Sequence, residues 1–142
     1  MILRSKGIIG LSLVACVTLS GCQTTKSSPS FSLFGGHKTS ASASIIEALQ
    51  GGIVGRTGVT LSNSDRQRAL EAEYRALEGA AAGQAVAWSG RNVSGKVVAS
   101  APYQVGSQNC RQYTHTLTID GKDTLARGSA CRNGDGSWSP LG

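Results

Sequence analysis

Apolar and polar positions change their period several times along this chain. Residues 8–19 are an apolar stretch broken only by small or mildly polar side chains. It is shorter than the about 20 residues a stable bilayer span needs. Residues 23–44 are rich in Ser, Thr and Gly, contain Pro29 and show no apolar period. Such a segment reads as a flexible, disordered tether, with Phe31, Leu33 and Phe34 as scattered apolar residues in it. Residues 45–61 are apolar and Gly-rich. They read as a turn-rich connector, with one small-xxx-small spacing in Gly51-Gly52-Ile53-Val54-Gly55. A helical period follows. Leu70, Tyr74 and Leu77 fall on one face. Ser64 and Gln67 fit a capping box, Asp65 suits the positive end of the helix dipole, and Gly79 or Gly83 ends the helix. Glu71 and Arg75 form a favourable i,i+4 pair on its exposed side.

From residue 86 the period shortens to two. Val86-Ala87-Trp88 and Lys96-Val97-Val98-Ala99 flank a Gly/Asn/Ser-rich turn, which predicts a hairpin. Tyr103-Gln104-Val105 forms a further short strand. Asp120-Gly121 is a preferred two-residue hairpin turn between two longer strands. Asn133-Gly134-Asp135-Gly136 reads as a second turn, returning the chain through Ser137-Trp138. Its Asn and Asp lack the further acidic ligand of an EF-hand loop.

The Asp120-Gly121 turn sets the register of its hairpin. Ile119 faces Lys122, and counting outward brings Cys110 opposite Cys131 as a non-hydrogen-bonded pair. Such pairs have Cα atoms about 4.5 Å apart, within the range a disulfide accepts. Alternation places Tyr113, Leu117, Ile119, Ala126 and Ala130 on a core face. Cys110, Thr114, Thr116 and Arg127 lie on a more polar face. The fold class is therefore α+β: a tether, one amphipathic helix and a small antiparallel β-sheet with a disulfide-stapled hairpin.

Composition narrows the class. With 142 residues, 39% hydrophobic, 5% aromatic and 19 glycines, the chain holds one modest domain. It is neither a multidomain enzyme nor a coiled coil. Arg4 and Lys6 precede the apolar stretch, the layout of a secretory signal peptide. The stretch ends Leu19-Ser20-Gly21-Cys22, which resembles the bacterial lipobox. That resemblance implies diacylglyceryl and N-acyl lipid on Cys22 and no other cofactor. Gln23, where Asp would retain a lipoprotein in the inner membrane, implies the outer membrane. Several acyl chains hold a protein firmly to lipid. Loss of Arg4 and Lys6 lowers the net charge from +6 to +4. Cys16 leaves with the signal and Cys22 carries lipid. Cys110 and Cys131 remain, and an oxidising envelope favours their pairing.

The ordered set Cys110-Arg111-Gln112-Tyr113-Thr114, Ile119-Asp120-Gly121-Lys122, Gly128-Ser129-Ala130-Cys131-Arg132 and Asp135-Gly136-Ser137-Trp138 resembles the C-terminal domain of the rickettsial 17 kDa surface antigen family. Ala76-Leu77-Glu78, Trp88 and Pro102-Tyr103 agree with it. The likeness covers about residues 64–142 plus the lipobox. Residues 51–58 alone correspond to the glycine zipper such proteins carry between lipid and β domain. The domain plan is then a signal peptide over 1–21 and a lipidated tether over 22–44. A degenerate zipper connector follows over 45–61, and the helix plus β domain occupies 62–142. The resemblance implies an outer-membrane surface-antigen lipoprotein, facing the periplasm or the cell surface.

Candidate chemistry is sparse. His37 and His115 are the two histidines. No GxSxG, HExxH, phosphate loop or zinc-type Cys/His cluster is present, so no catalytic or metal residue is expected. Arg91, Lys96, Arg111, Lys122, Arg127 and Arg132 outnumber the acids of the β part. Two readings follow. One is a structural or envelope-integrity lipoprotein without catalysis. The other is a module that docks an envelope protein or an acidic partner through a basic face of Arg111, Arg127 and Arg132. Outer-membrane lipid, lipopolysaccharide and peptidoglycan are the acidic partners available there, whereas nucleic acid is not.

Overall fold

The computed structural model describes residues 41–142. The expected signal peptide, the lipobox-like Leu19-Ser20-Gly21-Cys22 and residues 22–40 of the expected tether lie outside the described residues. Helix α1 (Ala41–Glu47) is followed by a 3-10 turn (Val54–Thr57) and helix α2 (Asn63–Glu78). Six strands follow: β1 (Ala85–Ser89), β2 (Ser94–Ala99), β3 (Tyr103–Val105), β4 (Gln108–Ile119), β5 (Lys122–Arg132) and β6 (Trp138–Pro140). They form one antiparallel sheet in the order β1-β2-β4-β5-β6, with β3 beside the far end of β4. Helix α2 packs on one face.

The central hairpin has the expected register, with Ile119 opposite Lys122 and Cys110 opposite Cys131. Asp120 and Gly121 both take positive φ, 49° and 74°, as a type I′ turn requires. Cys110 and Cys131 are joined by a disulfide, with Cα atoms 3.9 Å apart. The β1–β2 hairpin pairs Val86 with Val97 and Trp88 with Gly95. A Cβ on Gly95 would collide with the Trp88 indole, so glycine lets that ring lie across the strand.

Two local expectations shift. Helix α2 is capped by Ser62, not Ser64. The Ser62 hydroxyl accepts from the Asp65 N–H at 3.1 Å and donates to the Asp65 carboxylate at 2.7 Å. This is an N-cap whose hydroxyl is oriented by the Asp65 carboxylate, and Gln67 takes no part in it. Asp65 also accepts from Arg68 at 2.9 Å and from the Arg91 N–H at 3.3 Å. The Ser62 hydroxyl, then the Arg91 N–H and the Arg68 guanidinium, hold its carboxyl below the usual range against the opposing effect of burial.

The second shift concerns the connector. Helix α1 begins at Ala41, inside the segment expected as tether, and the connector belongs to the core. Ile46, Leu49, Ile53 and Val54 are buried beside Leu70 and Leu77 of α2. Gly51 and Gly52 take positive φ, 84° and 60°, so they make a turn rather than a helical zipper. A Cβ on Gly52 would meet the Glu73 carboxylate. Among the described residues, no helix is long and apolar enough to cross a membrane.

Candidate functional site

The core face of the sheet carries unexpected polar groups. Alternation along β4 puts Arg111 and His115 on the same side as Tyr113 and Leu117. All four are buried there, beneath α2. The buried stripe of α2 is Ala69, Ala72, Glu73 and Ala76, flanked by Leu70 and Leu77. Small residues let the helix approach the sheet closely. Tyr74, expected on the core face, is only half-buried, and its hydroxyl reaches the Gly136 carbonyl.

Glu73 is fully buried and is the centre of a hydrogen-bonded cluster. Its Oε1 accepts from the Val54 N–H at 2.8 Å and from His115 Nδ1 at 2.7 Å. Its Oε2 accepts from the Ile53 N–H at 3.1 Å and the Tyr113 hydroxyl at 3.3 Å. The Trp88 indole N–H donates to His115 Nε2 at 2.8 Å. An indole nitrogen can only donate, so these partners assign the His115 proton to Nδ1. An acid beside a histidine resembles catalytic machinery in outline. Here both ring nitrogens are occupied and His115 is fully buried, so the pair holds elements together.

Burial first, and the Glu73 charge second, push the Tyr113 phenol far above its ordinary value of 10.0. The folded chain keeps that proton where the unfolded chain loses it. Stability therefore falls as pH rises past about 10, by about 1.4 kcal/mol per pH unit from this group. Melting curves between pH 8 and 11 should show the fall, and Tyr113→Phe should flatten it.

The expected basic face of Arg111, Arg127 and Arg132 does not form. Arg111 is buried, and its Nη1 lies 3.1, 2.9 and 3.0 Å from the carbonyls of Ala76, Leu77 and Ala80. Its Nε donates to Ser100 O at 2.8 Å. Arg111 is thus a cap on the last turn of α2, where free carbonyls and the helix dipole favour a cation. Arg132 also lies on the helix side, in a two-pronged pair with Glu78 at 2.8 and 2.9 Å. Those bonds, with a further one from the Trp138 indole, lower the Glu78 carboxyl. Of the three, only Arg127 is on the opposite face, exposed, beside a depression of about 520 Å³ lined by Ser100, Gln112, Thr114 and Ser129. Alternation already separates odd-numbered Arg111 on β4 from odd-numbered Arg127 on β5, because their strand partners have even numbers.

The turn at residues 133–136 is closed by its own side chains. Asp135 accepts from the Ser137 N–H and hydroxyl, which hold its carboxyl below the usual range. Among the described residues, no cluster of His, Cys, Asp and Glu is placed to hold a metal ion. Glu73 carried one sequence signal: a carboxylate set among alanines 69, 72 and 76, where a solvated face would not place them.

Residues 75–139 match the family model described as the 17 kDa outer membrane surface antigen. The 17 kDa surface antigen of Rickettsia bellii is 38% identical over 84 residues, 57% of this chain and 53% of that protein. That of Rickettsia conorii is 38% identical over 81 residues, 55% of this chain and 51% of that protein. That of Rickettsia prowazekii is 36% identical over 77 residues, 52% and 48% of the two chains. The chain thus spans about half the length of the curated relatives it matches. No solved structure matches it significantly.

Proposed function

We propose, from the premise that residues 75–139 are a 17 kDa surface antigen domain, that this chain is a lipid-anchored, surface-antigen-like lipoprotein of the outer membrane. Its role in this reading is structural, maintaining the envelope without catalysis. The match over residues 75–139 carries the reading, and the sequence Leu19-Ser20-Gly21-Cys22 supports the anchor. Cys22 takes the lipid, Leu19, Ser20 and Gly21 admit the processing peptidase, and Gln23 directs the protein outward. The polar interactions that cross between α2 and the sheet support a scaffold role. Glu73, His115, Arg111 and the Glu78–Arg132 pair are all engaged within the fold.

Contact with acidic lipid, lipopolysaccharide or peptidoglycan, in this proposal, falls to cations such as Arg127 and not to the trio that includes Arg111. The anchor is tested by labelled palmitate incorporation and membrane fractionation of wild type and Cys22→Ser. Label and outer-membrane residence in the wild type, both lost in the variant, are the expected results. An unlabelled, soluble wild type would remove the lipid anchor.

A further inference from the structure

Among the described residues, strand β5 has an unpaired edge. Strand β6 pairs with it only at Ala130, Cys131 and Arg132. Among the described residues, no strand pairs with the outer side of residues 122–128. Hydrogen-bonding groups alternate in direction along an antiparallel strand. The Ser129 carbonyl accepts from the Leu141 N–H at 2.8 Å on the side away from β4. Counting back by twos, Asp123, Leu125 and Arg127 turn their N–H and C=O groups the same way. Their side chains share the sheet face opposite α2. Leu125 is 48% exposed, the most exposed large apolar residue of the described chain. Arg127 is exposed and has no acidic partner among the described residues.

We propose that this edge pairs with the same edge of a second copy, antiparallel about a twofold axis through Leu125. The sequence Asp123-Thr124-Leu125-Ala126-Arg127 is complementary to itself in that one register. Asp123 faces Arg127 of the second copy, and Arg127 faces its Asp123. Leu125 meets Leu125, and each opposed pair exchanges both backbone hydrogen bonds. Opposed cross-strand charges of opposite sign are favourable and like charges are not. Charges on an edge strand ordinarily repel further strands. Here their order, one acid and one base equally spaced about an apolar residue, instead selects a second copy. The other open edge, β1, carries no charge over Ala85–Ser89, so nothing sets a register there. The pairing extends the sheet across two chains and leaves α2 on its own side of each.

The contact is small, so association is measured over roughly 1 µM to 1 mM. Sedimentation equilibrium of the full chain in density-matched detergent supplies the dissociation constant. Both positions are exposed; Arg127→Asp is expected to melt with the wild type, and Asp123→Arg slightly below it, because Asp123 accepts from the Thr118 hydroxyl at 2.6 Å. A reversible dimer is expected. Each single reversal weakens it roughly tenfold by opposing like charges, and the double reversal restores it. A wild type that stays monomeric throughout overturns the proposal. So does a dimer indifferent to both reversals. A monomer whose Asp123, Leu125 and Arg127 amides resist hydrogen exchange also overturns it, because this chain's own residues 1–40 would then hold the edge.

Discussion

Replacing Cys110 and Cys131 by alanine, or reducing their disulfide, is expected to lower stability by about 3 kcal/mol. The bond closes a loop whose ends are 21 residues apart. Its position makes it consequential. The near end of the β4–β5 hairpin is set by the Asp120-Gly121 turn, and the far end has few other ties. Strand β3 adds three exposed residues beside Cys110, and β6 adds three beside Cys131. Without the bridge, the far end frays first in both the native and unfolding ensembles. For a domain of this size, 3 kcal/mol corresponds to a fall in Tm of roughly 12–24 °C. Thermal melts with and without reductant measure it. The wild type should shift to the Tm of the Cys110→Ala/Cys131→Ala variant, and the variant should ignore the reductant. Reactive thiols located at Cys110 and Cys131 in the native, unreduced protein would contradict the bridge.

Glu73→Ala is expected to cost at least about 4 kcal/mol, most of the stability of a domain at the low end of the usual ~5–15 kcal/mol. The substitution strips partners from four buried donors: two backbone N–H groups, the Tyr113 hydroxyl and His115 Nδ1. Each buried donor left unpaired costs about 1–3 kcal/mol, partly relieved by entering water. His115 cannot simply exchange tautomers, because a proton on Nε2 would face the Trp88 indole N–H. Glu73→Gln should cost less, about 1–3 kcal/mol. With its NH₂ at the Oε2 position, Tyr113 can turn to accept, and only the Ile53 N–H loses its acceptor. Urea titration of the two variants ranks them, and amide exchange of Ile53 and Val54 locates the damage. Equal stability of Glu73→Ala and wild type would show that the cluster does not hold α2 to the sheet.

These two sites differ in how far they could be read beforehand. The disulfide was legible because a two-residue turn and a strict alternation fix every opposed pair by counting. Both conditions are local, and both appear in the structure. The helix was legible in kind, but its cap lay at Ser62. Two serines on one short segment can both cap, and it is the earlier one whose hydroxyl meets the Asp65 N–H and carboxylate. Arg111 was misread as part of a basic surface. Its place on the core face was implied by the same alternation that placed Tyr113. Its acceptors lie 31 to 35 residues away on the end of α2, and only their arrival makes burial of a guanidinium favourable. The connector at 45–61 looked like a spacer for a similar reason. Its apolar residues have no period, so nothing local says that Ile53 and Val54 enter the core and offer their N–H groups to Glu73.

By itself, then, the sequence determined α2, the strands, the hairpin register, the sheet faces and the pairing of Cys110 with Cys131. Those follow from interactions between residues close along the chain or paired by a turn. Only the tertiary structure decided which polar groups would be buried. Glu73 meets His115 across 42 residues of sequence, and Ile53 across 20. A charged side chain belongs inside when partners from other elements converge on it, and outside when they do not. That convergence is a property of how helix, turn and sheet are packed, and no stretch of the chain contains it alone.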